Sequence, residues 1–109
     1  DHGEGQFFFP DSSMVQAVHD KELVAMVYAG PDNEATERYP YNPNGSVRGI
    51  AGLCDPTGRF LAIMPHAERS FLPWQWHFWP KNYEGWEGVT VSPWIKLFQN
   101  ARELCLAHR

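Results

Sequence analysis

Cysteine is scarce in this sequence: Cys54 and Cys105 are the only two among 109 residues, and neither belongs to a C-x-x-C or zinc-ligand spacing. That argues against a disulfide framework or a Cys-rich metal knuckle and favours a reducing, cytoplasmic setting. Long apolar runs are lacking too. The longest, Leu23 to Ala29 and Phe60 to Pro65, fall far short of the roughly 20 residues that cross a bilayer, so no membrane span is expected. Charge of one sign does not accumulate either: 9 Lys and Arg are scattered among 13 Asp and Glu, for a net charge of −4. No basic footprint for nucleic acid results. The opening Asp1-His2-Gly3-Glu4-Gly5 has neither the basic start nor the apolar centre of a secretion signal, and it lacks an initiator Met. The chain is therefore expected to begin mid-protein, and its length allows one compact domain or less.

Aromatic residues, by contrast, are abundant. Of 5 Trp, all but Trp94 fall between Trp74 and Trp86. The surrounding stretch, Pro65 to about Val91, has no sustained period and is broken by Pro and Gly, which predicts irregular coil. Trp74, Trp76, Phe78, Trp79 and Trp86 could then form a core flap, a contact face or a stacking platform for bases. The last needs positive charge that this region does not offer.

Elsewhere the pattern predicts regular elements. Gln6-Phe7-Phe8-Phe9 is a short β-prone run stopped by Pro10. Asp11-Ser12-Ser13 supplies N-cap chemistry for a helix through about Asp20, with Ser13 and Gln16 at capping-box spacing. Leu23 to Ala29 reads as a buried strand ended by Gly30-Pro31-Asp32-Asn33. Gly30 to Ser46 is loop, and its Asn42-Pro43-Asn44-Gly45-Ser46 is expected to form a structural Asx-type turn. Val47 to Cys54 and Arg59 to Met64 flank the turn sequence Asp55-Pro56-Thr57-Gly58 and predict an antiparallel hairpin. Ser92 as N-cap and Pro93 as first residue open a helix over 93 to about 106. Trp94, Leu97, Phe98, Ala101, Leu104 and Cys105 form its apolar stripe, which places Cys105 in the core.

The chemistry-bearing motif is Met64-Pro65-His66-Ala67-Glu68-Arg69, directly after the second hairpin strand. It sets an imidazole and a carboxylate two residues apart at a strand end, a common place for catalytic groups. A His acting as general base needs an acid to fix its tautomer and stabilise the imidazolium, and Glu68 can serve His66 in that way. Taken alone, H-x-E is weak evidence and fits an ordinary structural or surface pair better.

Three motifs arrive in fixed order: Asn42-Pro43-Asn44-Gly45-Ser46, then Gly49-Ile50-Ala51-Gly52-Leu53-Cys54, then the His66 motif. In that order they resemble the glutaminase domain of the phosphoribosylformylglycinamidine synthase family, specifically its large single-chain form. The resemblance extends upstream to His2-Gly3-Glu4-Gly5. Downstream it takes in Arg69 to Trp76 and Ser92 to Arg102, so it covers nearly the whole chain.

The resemblance implies an α/β fold, part of the class I glutamine amidotransferase (flavodoxin-like α/β/α) architecture, with a β-hairpin and a C-terminal helix. Residues 1–109 would be the C-terminal portion of that domain. It further implies a Cys-His-Glu triad that hydrolyses glutamine and passes ammonia to an ATP-dependent synthetase domain of a C–N ligase in purine biosynthesis. His66 matches the triad base and Glu68 its acid, and Gly3 and Glu4 match a loop beside bound glutamine. Ala67 stands where the family usually carries proline. The nucleophile lies upstream of this chain, so the isolated polypeptide is expected to be inactive.

Cys54 does not replace the nucleophile, because it precedes a hairpin turn rather than the strand-to-helix elbow that activates a thiol. No cofactor is expected in this chain, while ATP and Mg are implied for the parent enzyme. Expected partners are glutamine, the remainder of the amidotransferase domain and the synthetase domain, together with self-association through exposed strand edges. Two other readings stay open: a non-catalytic binding or assembly module using the Trp segment, and a zinc site built from His66, Glu68 and His2.

Overall fold

The computed structural model describes residues 5–79 and 87–108. The chain divides into two compact units, 1–65 and 66–109. Among the described residues there are two α-helices and one three-stranded antiparallel sheet, with no parallel strand pair.

In the first unit, Asp11 caps helix α1 (Ser12–Asp20), its carboxylate accepting from the backbone of Ser13 at 2.8 Å and of Met14 at 3.2 Å. The Ser13 hydroxyl also donates to it, and these bonds, the hydroxyl first, hold the Asp11 carboxyl below its ordinary value. The cap thus falls two residues before Ser13, and Gln16 serves no capping box. It bridges instead, donating to Asp20 at 2.7 Å and accepting from the Arg48 guanidinium at 2.9 Å. The helix ends in a Schellman arrangement: Glu22 N–H donates to the His19 carbonyl (2.9 Å) and Leu23 N–H to that of Val18 (2.9 Å). Glu22 holds the left-handed position, at φ 54°, that glycine usually takes.

Strand β1 (Val24–Val27) pairs with β2 (Ile50–Cys54), which pairs with β3 (Leu61–Ile63). Leu23 to Ala29 was expected to be a buried strand, yet β1 alternates between half-buried and exposed residues. It is an edge strand with only one covered face, and such strands alternate where central ones do not. The central strand is β2, where Ile50 and Ala51 are buried and Gly52 lies against Ile63.

The predicted hairpin forms, with Leu53 opposite Ala62 and Cys54 opposite Leu61. Asp55 nucleates its turn, accepting from the backbone of Thr57 (3.0 Å), Arg59 (3.0 Å) and Phe60 (2.9 Å) and from the Thr57 hydroxyl (2.5 Å). Those donors, led by the hydroxyl, lower its pKa to about 2.

Val47–Gly49 is a 3-10 turn rather than the start of β2, because Arg48 (φ 52°) and Gly49 (φ 71°) adopt left-handed backbone. A Cβ on Gly49 would lie 3.0 Å from the carbonyl oxygens of both Tyr28 and Thr36, so the chains close up only over glycine.

The Asn42–Ser46 loop is an internal polar nucleus, with Asn42, Asn44 and Ser46 all buried. The Asn42 amide donates to the carbonyls of Thr36 and Ser46, both at 2.9 Å, and accepts from the backbone of Asn44 and Ser46. Asn44 donates to the Gly5 carbonyl at 2.6 Å and accepts from the Ser46 hydroxyl at 2.7 Å. The structural reading of this loop therefore holds.

The second unit contains 3-10 turns at Ala67–Arg69 and Pro73–Gln75 and helix α2 (Ile95–Ala107). The Ser92 hydroxyl accepts from the backbone of Trp94 (3.2 Å), and three bonds of i to i+3 type wind into the helix, which therefore begins later than Pro93. No residue of α2 is buried; Phe98, Leu104 and Leu106 are exposed. Cys105, expected in the core, is exposed as well, because the described residues do not fully cover the apolar stripe. Among the described residues no helix is long and apolar enough to cross a membrane.

Candidate functional site

Three residues beyond Ile63, the last of β3, His66 occupies the N-cap position of the Ala67–Arg69 turn. Its carbonyl accepts from Arg69 N–H at 3.1 Å and from the Ser70 hydroxyl at 3.4 Å. Ser70 N–H donates to the Ala67 carbonyl at 3.2 Å. Ala67 fills the first position of the turn, where a backbone N–H has no partner within the turn and proline is equally well accommodated.

The turn folds the two functional side chains together, with His66 Nδ1 2.5 Å from Glu68 Oε1. Both remain reachable from solvent, the imidazole at 31% and the carboxylate at 60% relative exposure. The bond to His66, then the backbone N–H of Glu68 itself, holds the Glu68 carboxyl below its ordinary value, so it is ionised at neutral pH. Nδ1 must then carry the proton for this contact, and in the neutral ring the lone pair lies on Nε2. Such a ring can accept a proton at Nε2 while the carboxylate stabilises the cation.

The other sequence candidates fall elsewhere. Gly3 and Glu4, with His2, lie outside the described residues, as does Trp86. Cys54 is half-buried at the end of β2, its thiol 3.6 Å from the Leu23 carbonyl, and it leads into the hairpin turn rather than a helix. A cavity of about 300 Å³ in the first unit, lined by Gly30, Thr36, Arg38, Tyr39 and Tyr41 among others, includes neither His66 nor Glu68. Among the described residues no three His, Cys, Asp or Glu side chains come together to hold a metal.

The aromatic segment contributes one contact that the sequence did not signal. The Trp76 indole N–H donates to the Ser70 carbonyl at 2.7 Å. Trp76 also packs edge-on against Trp79, with ring centroids 5.3 Å apart. Trp74 and Phe78 are 77% and 75% exposed.

A strand-end loop that pairs an imidazole with a carboxylate is an arrangement suited to amide hydrolysis, and the class of protein is set by similarity over the whole chain. The profile of the CobB/CobQ-like glutamine amidotransferase domain matches residues 1–105, and the chain belongs to that family. Within it, the chain is homologous to phosphoribosylformylglycinamidine synthases. It is 50% identical to that of Dictyostelium discoideum over 106 residues, covering 95% of this chain and 8% of the relative. It is 43% identical to the Homo sapiens protein over 105 residues, covering 96% of this chain and 8% of the relative. A probable chloroplastic/mitochondrial phosphoribosylformylglycinamidine synthase of Arabidopsis thaliana is 46% identical over 102 residues, covering 94% of this chain and 7% of the relative. The chain thus spans less than a tenth of these relatives' length.

Proposed function

We propose that this chain is the His- and Glu-bearing part of the glutaminase domain of a phosphoribosylformylglycinamidine synthase. The single observation that carries the reading is the 2.5 Å contact between His66 Nδ1 and Glu68 Oε1, on a loop within the stretch that the family profile matches. In the proposed mechanism a cysteine thiol from the remainder of the domain gives its proton to His66 Nε2, and the sulfur attacks the side-chain amide carbon of glutamine. The imidazolium, steadied by Glu68, returns the proton to the departing nitrogen as the C–N bond breaks. Water, deprotonated by the same ring, then hydrolyses the thioester to glutamate.

The ammonia serves ATP-dependent amidation of formylglycinamide ribonucleotide in purine biosynthesis. ATP and Mg are assigned to the synthetase part of the parent and none to this chain. Gly3 and Glu4 are proposed to lie beside the bound glutamine. The full domain is proposed to take the class I α/β/α fold in a cytoplasmic enzyme, with the open edges of β1 and β3 available for its remaining strands.

The test is glutamate release. This chain alone is expected to give none above buffer, while His66→Ala or Glu68→Gln in the parent polypeptide should cost at least about a hundredfold in glutaminase kcat. Turnover by the isolated chain, or full activity of either variant, would overturn the proposal.

A second reading, an assembly module, draws on the solvent-facing Trp74, Phe78 and α2 stripe, since exposed apolar clusters mark contact surfaces. It differs in expecting a well-behaved monomer whose partner binding survives His66→Ala.

A further inference from the structure

The His66–Glu68 pair sits on a three-residue 3-10 turn with its carboxylate largely in solvent. Short 3-10 turns have poor hydrogen-bond geometry and little intrinsic persistence. A general base, however, must hold its ring within a few tenths of an ångström of the productive position. Something beyond the turn must therefore fix it, and the hydrogen bonds leading away from the turn identify what does.

The His66 carbonyl is gripped by Arg69 N–H and by the Ser70 hydroxyl. The Ser70 carbonyl in turn accepts the Trp76 indole N–H at 2.7 Å, shorter than any backbone bond within the turn. The next carbonyl, that of Phe71, accepts from the backbone of fully buried Ser92, also at 2.7 Å. Two successive carbonyls on the exit side of the turn are thus pinned, one by the indole and one by the residue that starts the winding into α2.

Trp76 is itself held. Its backbone N–H donates to the Pro73 carbonyl at 3.2 Å, and its ring meets Trp79 edge-on at 84°. The Pro73–Gln75 turn before it is closed by the Gln75 side chain, which accepts from Leu72 N–H at 2.8 Å. The aromatic segment therefore divides by direction: Trp74 and Phe78 face solvent, whereas Trp76 turns its polar edge back to the turn bearing the pair. An indole is a rigid donor with no acceptor capacity, so it can bond a carbonyl without competing for the imidazole.

We propose that Trp76 is a positioning residue for the His66–Glu68 pair, its indole N–H clamping the Ser70 carbonyl so that the turn holds the imidazole against the carboxylate. The inference rests on the glutaminase reading for its catalytic consequence, while its structural content is testable without it.

In the 109-residue chain, side-chain ¹⁵N spectra of His66 report the ring tautomer. The native chain should show Nδ1 protonated in the neutral ring, and Trp76→Phe, which keeps an aromatic ring but loses the donor, should move the shifts toward those of a free imidazole. Should Trp76→Phe fail to fold, as judged by near-ultraviolet circular dichroism, a benzothienyl analogue at position 76 replaces N–H by sulfur at nearly constant shape and is read in the same way. In the parent polypeptide, Trp76→Phe should lower glutaminase kcat about 10- to 100-fold with KM changed less than about twofold, and leave synthesis from added ammonia unchanged.

Native-like His66 shifts together with full kcat in the donor-less variants would overturn the proposal. If His66→Ala and Glu68→Gln leave glutaminase activity intact while the tautomer still responds to position 76, the glutaminase reading fails and the clamp stands.

Discussion

Asn42 shows how much one side chain can carry. Its amide is buried and makes four hydrogen bonds, two donated to carbonyls and two accepted from backbone N–H groups, so every capacity of the group is used. Removing it leaves buried backbone partners unsatisfied. Asn42→Ala is expected to destabilise the chain by about 2–4 kcal/mol in urea unfolding followed by circular dichroism. Asn42→Asp preserves the acceptors but sets a carboxylate against the carbonyls of Thr36 and Ser46, and should be no better than Ala at neutral pH.

Glu22 is the opposite case, a residue at odds with its backbone. At φ 54° in the Schellman position it bears the steric cost that glycine avoids, and Glu22→Gly is expected to raise stability by about 0.5–1 kcal/mol in the same assay. The identity of position 42 was legible in the sequence as a turn former. Its burial was not, because that depends on the loop folding back on Thr36 and on its neighbour Asn44 reaching Gly5, 39 positions earlier.

Elements were read well where local chemistry decides and less well where tertiary cover decides. Asp55-Pro56-Thr57-Gly58 specifies its hairpin because one carboxylate satisfies the donors of the turn, so the register follows from four residues. The pH dependence has a definite sign. The folded carboxyl, at about 2, lies below its ordinary value of 3.8, so its stabilising contribution is complete above about 3.8 and fades as pH falls through about 2. Amide hydrogen exchange should then show Arg59 and Phe60 protected at pH 5 and losing protection toward pH 2. Asp55→Asn should remove that pH response, and an unchanged profile in the variant would discount the carboxylate.

Glu68 obeys the same sign at its own lowered value, so the carboxylate's contribution to the pairing with His66 is lost on acidification. By contrast, the cover expected over α2 and β1 is not found, since an apolar pattern records what an element could bury and not whether a layer lies over it. The proximity of the side chains at 66 and 68 follows from their spacing, because a short turn brings such neighbours together, whereas the spacing alone did not single the pair out as functional. The Trp76 contact was not legible, since an indole bonding a carbonyl six residues earlier leaves no pattern in the sequence.

At the scale of the whole molecule, the balance of buried and exposed apolar surface makes a demand of its own. Among the described residues the buried apolar side chains are Val15, Ile50, Ala51 and Ala67, while Phe8, Phe60, Trp74, Phe78 and Phe98 are exposed. A domain of about this length normally removes well over half of its unfolded surface from water, and each large side chain left out forgoes about 1.5–3 kcal/mol. Among the described residues β1 and β3 are the edge strands of the sheet, and edge strands are places where a further strand can pair. These features fit a chain spanning less than a tenth of its relatives' length.

The isolated polypeptide is therefore expected to self-associate. Static light scattering should give an apparent mass that rises with concentration above the 12.5 kDa monomer, and a charged substitution in the α2 stripe, Phe98→Glu, should reduce it. A sharp monomer at high concentration, with the near-ultraviolet dichroism of ordered tryptophans, would instead mean that these rings find cover within the single chain and need no further protein to bury them.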